Sequence, residues 1–308
     1  MKGLDLAERY WNEAGRPALA AACPEAVGRW SAGLVGEGSE CFGFDDEVSR
    51  DHDWGPGFCV WLDAPDFERF GARLQAAYDA LPAEFMGFRR DVQPEGAGRV
   101  GVMESGAFYA RFTGLPTPPR TVGEWLSLDD EVLATCVNGR VFEDGAQGFS
   151  AYRAELSRYY PRDILMKKLA AHCALAGQAG QYNYPRCEGR GDAVAALMAL
   201  ARFIEHAQAA VFMLNKRYRP YYKWANRALA DLPVLGDLAP RFSALAQGGA
   251  FGHASRIEGI CRQIADALAE RGLADASDGG FLLTCAHRIQ GEVHNDSIRA
   301  LPLLVHTV

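Results

Sequence analysis

Two short motifs in the stretch 36–55 bring together residue types suited to phosphate chemistry. The first is the Gly38-Ser39 pair, whose backbone amides could approach an anion closely while the Ser39 hydroxyl donates a hydrogen bond. The second is Asp51-x-Asp53, because an extended segment would place both carboxylates on one face, where they repel unless a cation lies between them. Mg²⁺ prefers carboxylates, phosphate oxygens and water as ligands. Together the motifs are typical of metal-assisted phosphoryl or nucleotidyl transfer.

The same residues also have a purely structural interpretation. Gly-Ser pairs are common in turns, and an Asp-x-Asp pair often ends a solvated loop. The neighbouring acids Asp45, Asp46 and Glu47 would fit such a turn as well. The order along the chain favours the chemical interpretation: an apolar run, Gly-Ser, the eleven-residue gap 40–50, Asp-x-Asp, a second apolar run and a helix.

A cationic cluster in the second half of the chain could meet a polyphosphate. Its members surround Pro220, which interrupts a helical pattern, and they are Lys216, Arg217, Arg219 and Lys223. One interpretation is a clamp for phosphate or substrate, with Lys216 and Lys223 as its contacts. The other is an ordinary helix end, where basic residues offset the helix dipole.

The elements that would position these motifs follow from the apolar pattern. A helix is expected over 17–30, and Phe58–Leu62 is typical of a buried strand. A helix then begins at Pro65, and residues 99–103 predict a further strand. Strands and helices in alternation indicate a mixed α/β arrangement in this part of the chain.

After residue 115 the pattern is almost entirely helical. A proline-rich linker at 116–119 precedes the helices, and the polar and aromatic stretch 180–186 is expected to be a loop that could line an acceptor pocket. We therefore predict an α+β fold, with an α/β domain over 1–118 and an all-α helical domain over 119–308.

Composition excludes several classes of protein. The 308 residues carry 32 Lys and Arg against 39 Asp and Glu, and a net charge of −7 argues against duplex nucleic acid as a partner. No apolar run approaches the ~18 residues that span a bilayer, so no membrane is expected. The eight cysteines form no CxxC pair, and the seven histidines show no zinc-ligand spacing. We expect a reduced, cytoplasmic protein; the oligomeric state is open, a homodimer included.

Gly38-Ser39, the gap and Asp51-x-Asp53 resemble the signature of the nucleotidyltransferase superfamily, typified by DNA polymerase beta and kanamycin nucleotidyltransferase. The wider stretch 36–55 looks like the bacterial DUF4037 nucleotidyltransferase-like family, and the stretch 214–224 is similar to that family as well. The resemblance covers both halves of the chain and is specific at these two stretches.

This resemblance implies a nucleotidyltransferase-type mixed sheet, a helical-bundle domain and an active site in the cleft between them. By position, Gly38 and Ser39 would hold the nucleotide phosphates, and Asp51 and Asp53 would ligate Mg²⁺. Helical lysines bind the triphosphate in several members of the superfamily, which makes Lys167 and Lys168 candidates. One of these two is expected to face solvent, since neighbours on a helix do not share a face.

The implied activity is transfer of a nucleoside monophosphate from an NTP, with ATP expected, to a hydroxyl of a small molecule or of a protein. One departure leaves an alternative open. The superfamily usually has a third carboxylate on a neighbouring strand, where this chain has Gly101, and Glu104 would point to the opposite face. The alternative is a catalytically impaired nucleotide-binding or sensing module on the same fold.

Overall fold

The computed structural model describes residues 1–50, 53–90, 96 and 98–304, and it divides into two compact units. Unit 1 comprises residues 1–119 and 132–158, and unit 2 comprises residues 120–131 and 159–308. The functional division at residues 118 and 119 stays a prediction.

The described residues form short strands and many helices. The strands are β1 (Trp30–Leu34), β2 (Cys59–Leu62), β3 (Glu84–Phe85), β4 (Phe88–Arg89), β5 (Gly101–Glu104) and β6 (Arg140–Glu143). The first helices are α1 (Gly3–Tyr10), α2 (Arg16–Ala22), α3 (Ala64–Asp79), α4 (Ser105–Thr113), α5 (Val122–Leu126), α6 (Asp130–Val137), α7 (Gln147–Ser157) and α8 (Arg162–Ala176). The others are α9 (Tyr184–Gly189), α10 (Ala193–Leu214), α11 (Tyr222–Leu229), α12 (Ala239–Gln247), α13 (Ala254–Ala269), α14 (Leu282–Gly291) and α15 (Asp296–Arg299).

Unit 1 is built on a four-stranded mixed sheet in the order β5-β2-β1-β6. Strand β1 pairs antiparallel with both β2 and β6, whereas β2 pairs parallel with β5. The parallel pair needs a crossover, and α3 supplies it. Strands β3 and β4 form a separate hairpin. The mixed α/β class predicted for this part of the chain is confirmed, while the specific nucleotidyltransferase arrangement stays a proposal.

Both faces of the sheet are covered by apolar side chains, so β2 is buried along its whole length. On one face Val60 and Leu62 join a cluster that contains Trp11, Trp30 and Phe58. On the other face Trp61 stacks on Phe149 of α7, with ring centroids 3.9 Å apart and planes 13° apart. This stack attaches α7, which follows β6, to the sheet.

Unit 2 is helical in its described residues. Helix α8 packs against α10 and α14, and α10 also contacts α9, α11 and α13. A π-helical segment, Gly177–Asn183, continues α8 and leads into α9. Helix α10 is long and apolar enough to cross a membrane by length and composition, but 56% of its apolar window is buried within the protein. That burial is typical of the core helix of a soluble protein, and a cytoplasmic location stays a prediction.

Three expectations about local structure are wrong. The helix expected over 17–30 ends at Ala22, and a 3₁₀ turn, Pro24–Ala26, leads into β1. The stretch 180–186 is helical rather than a loop. The sequence predicted only helices after residue 115 and therefore did not predict strand β6. Its partner β1 lies about a hundred residues earlier in the chain, so the local pattern does not indicate the pairing.

Candidate functional site

The Gly-Ser motif lies in the loop that leaves β1. Gly36 and Gly38 have φ of +122° and +118°, a region that side chains with a Cβ rarely adopt. The Asn138 side chain accepts a hydrogen bond from the Gly36 amide at 2.9 Å and donates one to the Gly36 carbonyl at 2.8 Å. Ser39 is buried, and its carbonyl accepts from the amides of Phe42 and Phe44. The loop is therefore fixed at its start and closed as a turn.

Asp53 is buried, but it does not lie on a strand as the extended arrangement required. Its φ is +54°, in the left-handed region, and β2 begins only at Cys59. Asp51 lies outside the described residues. The structure therefore gives no support to a same-face carboxylate pair on a strand at this place, although the Asp53 carboxylate is withdrawn from solvent.

Arg99, which sequence reasoning did not single out, joins the two motifs. Its Nη2 donates to the Glu37 carbonyl at 2.6 Å and lies 3.4 Å from Glu40 Oε1, while its Nη1 lies 3.6 Å from Asp53 Oδ2. A Cβ on Gly38 would clash with the Arg99 guanidinium and the Glu40 carboxylate. Gly38 is thus needed to let this arginine reach across the loop.

The corner formed by these residues is rich in buried charge. Burial raises the pKa of the Glu40 carboxyl, and Arg99 opposes that rise. Arg99 Nε and Arg90 Nη2 are buried N–H groups that have no hydrogen-bond partner among the described residues. Buried donors of this kind are costly unless they meet an acceptor. These two donors have no accessible surface, so it is the positive charge of Arg99 and Arg90, both of which act on Glu40, that could favour an anion at this corner.

The described residues do not by themselves form a magnesium site. No group of three metal-ligating acids, histidines or cysteines occurs among them, and Arg99 already serves as the counter-ion of Glu40 and Asp53. Gly101 has a φ of +116° and offers no carboxylate. Glu104 is used as a helix cap, because its side chain accepts from the amides of Gly106 and Ala107 at the start of α4.

Lys167 and Lys168 on α8 are both buried, so the expectation that one of them faces solvent is wrong. The Lys167 Nζ donates to the carbonyls of Pro302 and Leu303 at 2.7 and 2.8 Å, and burial lowers its pKa to about 8. The Lys168 Nζ lies 5.5 Å from the centre of the Tyr160 ring. Lys167 therefore anchors the chain near its described end.

Of the cationic cluster around Pro220, the lysines are exposed and an arginine is buried. Lys216 and Lys223 lie at the surface, and the Lys223 Nζ is 5.9 Å from the Tyr221 ring centre. Arg219 is only 8% exposed, and its Nη2 lies 3.0 Å from Glu131 Oε1 and 3.8 Å from Glu205 Oε1. The buried cation of this cluster is thus neither of the two lysines named from the sequence.

Unit 2 contains a second group of buried charges near Arg219. Asp130 is buried, and its Oδ1 accepts from the Tyr160 hydroxyl at 2.6 Å. Burial raises the pKa of Asp130, and the Tyr160 hydrogen bond and Lys168 oppose that rise. The Nδ1 atoms of His172 and His206 lie 3.1 Å apart. A close pair of ring nitrogens requires that one donates and the other accepts, so at least one ring is neutral.

The histidine pair predicts a stability that falls on acidification. Burial lowers the pKa of both rings, and charges facing the pair also act on it: Lys168, Arg202, Glu205 and Arg219. Because the folded pKa lies below the ordinary 6.5, the unfolded chain binds more protons between those values, and stability drops as pH falls below about 6.5. We expect His172→Gln to reduce this drop by about 1 kcal/mol between pH 7.5 and pH 5.5.

Urea denaturation at several pH values checks this expectation, with exposed His287→Gln as the matched control. The raised pKa of Asp130 and Glu40 acts in the opposite direction, so the comparison is between variant and unsubstituted protein at each pH. Equal pH dependence in the His172 variant and in the unsubstituted protein would contradict the interpretation.

One segment of the chain matches a known family model. Residues 125–225 match a family model described as a domain of unknown function, DUF4037, which is about a third of the chain. The resemblance to that domain family is thus confirmed for this segment, which contains Asp130, the histidine pair and Arg219. No curated protein and no solved structure matches the chain significantly. The wider nucleotidyltransferase resemblance, which rests on residues outside the segment, stays a prediction.

Proposed function

We propose that unit 1 binds a nucleoside triphosphate, with ATP expected, and transfers its nucleoside monophosphate to a hydroxyl of a small molecule or protein. The observation that carries this is the convergence of the glycine-serine loop and Asp53 on Arg99, together with the charge of Arg90, which also acts on Glu40 in that loop. In the transfer, the acceptor oxygen bonds to the α-phosphorus, the bond from that phosphorus to the bridging oxygen breaks, and pyrophosphate leaves while the hydroxyl proton passes to water.

The arrangement supports a division of roles. The Gly38 and Ser39 amides and the Ser39 hydroxyl would contact phosphate oxygens. Arg90 would neutralise charge on the departing pyrophosphate, and such stabilisation of charge is the main task of a protein in this reaction. Arg99, which is paired with Glu40 and Asp53, would hold the loop in place. The magnesium requirement implied by the resemblance rests on Asp51 and Asp53 and stays a prediction. Lys216 and Lys223 are exposed in unit 2, and the role in substrate binding expected from the sequence stays a prediction.

A nucleotide-binding module without turnover is the second candidate. Its support is that Gly101 supplies no carboxylate and that the Glu104 carboxylate is engaged by two backbone amides. Such a module would bind ATP in the same corner and release no pyrophosphate over hours, even with a pool of hydroxylated compounds present.

Calorimetric titration of the full chain with ATP, in Mg²⁺ and in chelator, tests the proposal. We expect Arg90→Met to weaken ATP binding by at least about tenfold, because a charge-assisted hydrogen bond to phosphate contributes on the order of 1.5–3 kcal/mol. The matched control is Arg89→Met, an exposed arginine one residue earlier.

Three outcomes are informative. Binding that weakens in the Arg90 variant alone, together with pyrophosphate release, supports nucleotidyl transfer. The same binding without release favours the non-catalytic module. Absence of ATP binding at millimolar nucleotide, both in Mg²⁺ and in chelator, would falsify both.

A further inference from the structure

A basic and aromatic surface lies in unit 2, where α10 ends and α11 begins. Residues 206–230 contain five lysines and arginines and no aspartate or glutamate, although the whole chain has a net charge of −7. Between the two helices, residues 218–220 are buried and the residues on either side of them are exposed. The exposed residues, which we call the 216–223 surface, are Lys216, Arg217, Tyr221, Tyr222 and Lys223.

The positive charge of the 216–223 surface is not neutralised by the described part of the chain. Its three cations, two lysines and one arginine, form no ion pair with any described residue. Glu131 and Glu205 lie 3.0 and 3.8 Å from the buried Arg219, so that group contributes one excess negative charge against three exposed positive ones. The excess of positive charge favours a polyanion as ligand.

Two tyrosine rings lie open on the same surface. Tyr222 is 67% exposed and Tyr221 is 44% exposed, and their ring centroids are 4.3 Å apart. The Lys223 Nζ lies 5.9 Å from the Tyr221 ring centre, so aromatic and cationic groups are neighbours. Proteins that bind single strands of nucleic acid combine these two features, because bases stack on aromatic rings while cations contact the phosphates.

The backbone that carries the 216–223 surface is fixed by hydrogen bonds from other parts of unit 2. The Asn215 side chain donates to the Val234 carbonyl and accepts from the Val234 amide, each at 2.9 Å. The Tyr159 hydroxyl donates to the Arg217 carbonyl at 3.4 Å. Because this backbone is held before any ligand binds, binding requires less loss of conformational entropy.

We infer that the 216–223 surface binds a single-stranded nucleic acid, whose bases stack on its two tyrosines and whose phosphates contact its three cations. An acidic peptide has no bases to stack on the rings. An anionic membrane is disfavoured because interfacial binding relies on an apolar face, and the large apolar side chains exposed within residues 206–230 are the two tyrosines alone. The inference concerns unit 2 and does not depend on whether unit 1 binds a nucleotide.

Fluorescence anisotropy of a labelled ten-nucleotide oligoadenylate, titrated with the full chain, tests the inference. The ribonucleotide and the deoxyribonucleotide strand are measured separately; binding of either supports the inference, and the tighter one identifies the kind of strand. We expect affinity to fall with salt, and the logarithmic slope to be about −2 because each of three phosphate contacts contributes about −0.7.

Two variants separate stacking from charge. Tyr222→Ala should weaken binding of the strand at least about fivefold with the salt slope unchanged, because it removes a ring and no charge. Lys223→Met should make the slope less steep by about 0.7, because it removes one phosphate contact. Tyr182→Ala is the matched control, since Tyr182 is 48% exposed in the π-helical segment, and it should change neither quantity.

Four results would each overturn the inference. They are no binding of either strand at about 0.1 mM protein in low salt, an affinity that Tyr222→Ala leaves unchanged, an equal loss of affinity in the Tyr182 variant, and tighter binding to phosphatidylserine vesicles than to either strand. The last result would assign the 216–223 surface to a membrane instead.

Discussion

Replacing Phe149 with alanine is expected to lower the free energy of unfolding by about 3–5 kcal/mol. The ring is fully buried, stacks on Trp61 at 3.9 Å and lies 5.5 Å from the Tyr109 ring. Its loss would leave a cavity beside β2 that rigid strands and rings cannot fill by relaxing. Urea denaturation followed by tryptophan fluorescence measures the change.

Phe112→Ala is the matched control in the same unit. Phe112 is only partly buried and touches Phe108 with ring centroids 5.4 Å apart, so its replacement should cost about 1 kcal/mol. A similar small loss for Phe149→Ala would contradict the inclusion of α7 in the core of unit 1. The expected losses of stability differ because only Phe149 takes part in the stack with Trp61. That stack packs α7, which lies after residue 132, against a sheet whose first strand begins at residue 30.

Replacing Arg99 with alanine is expected to lower the free energy of unfolding by about 3 kcal/mol, because it removes a cation that two buried carboxylates share. Glu40 and Asp53 have side chains that are each only 6% exposed. Without Arg99, burial would raise the pKa of Glu40 further, so the folded variant would hold a proton that the unfolded chain releases.

The sign of the pH effect follows from that raised pKa. Stability linked to a raised carboxyl pKa is complete below the unfolded value of about 4.5 and is lost as pH rises through the folded value. The deficit of the Arg99 variant should therefore shrink as pH is lowered from 7.5 toward 5. Adding Glu40→Gln to Arg99→Ala should recover part of the deficit at neutral pH, because it removes one of the stranded charges.

Arg89→Ala provides the control for Arg99, since Arg89 is exposed and its loss should change stability by no more than about 0.5 kcal/mol. An Arg99 variant as stable as the Arg89 variant, or a deficit that grows on acidification, would show that Arg99 does not neutralise Glu40 and Asp53. That result would also remove the observation on which the nucleotide proposal rests.

The local sequence by itself determined helices and strands wherever the spacing of apolar residues and the positions of turn-forming residues agree. The apolar run at 58–62 predicts a buried strand, and β2 is buried along its whole length. The long apolar pattern from Asp192 predicts a core helix, and α10 is such a helix. Gly36 and Gly38 mark a tight loop because their positive φ angles favour glycine. These features depend on neighbours within a few residues, so they can be predicted from a single sequence.

Only the tertiary structure decided which charges meet. Arg99 reaches Glu40 and Asp53 across 59 and 46 positions of sequence, and Lys167 is held by carbonyls more than 130 positions later. What each charged side chain contacts then depends on where it is buried, not on its residue type. Lys167, a phosphate candidate from the sequence, donates to backbone carbonyls near the end of the described chain, and Arg219 lines a cavity. Pairings of this range are set by how the elements pack, and local pattern holds no information about them.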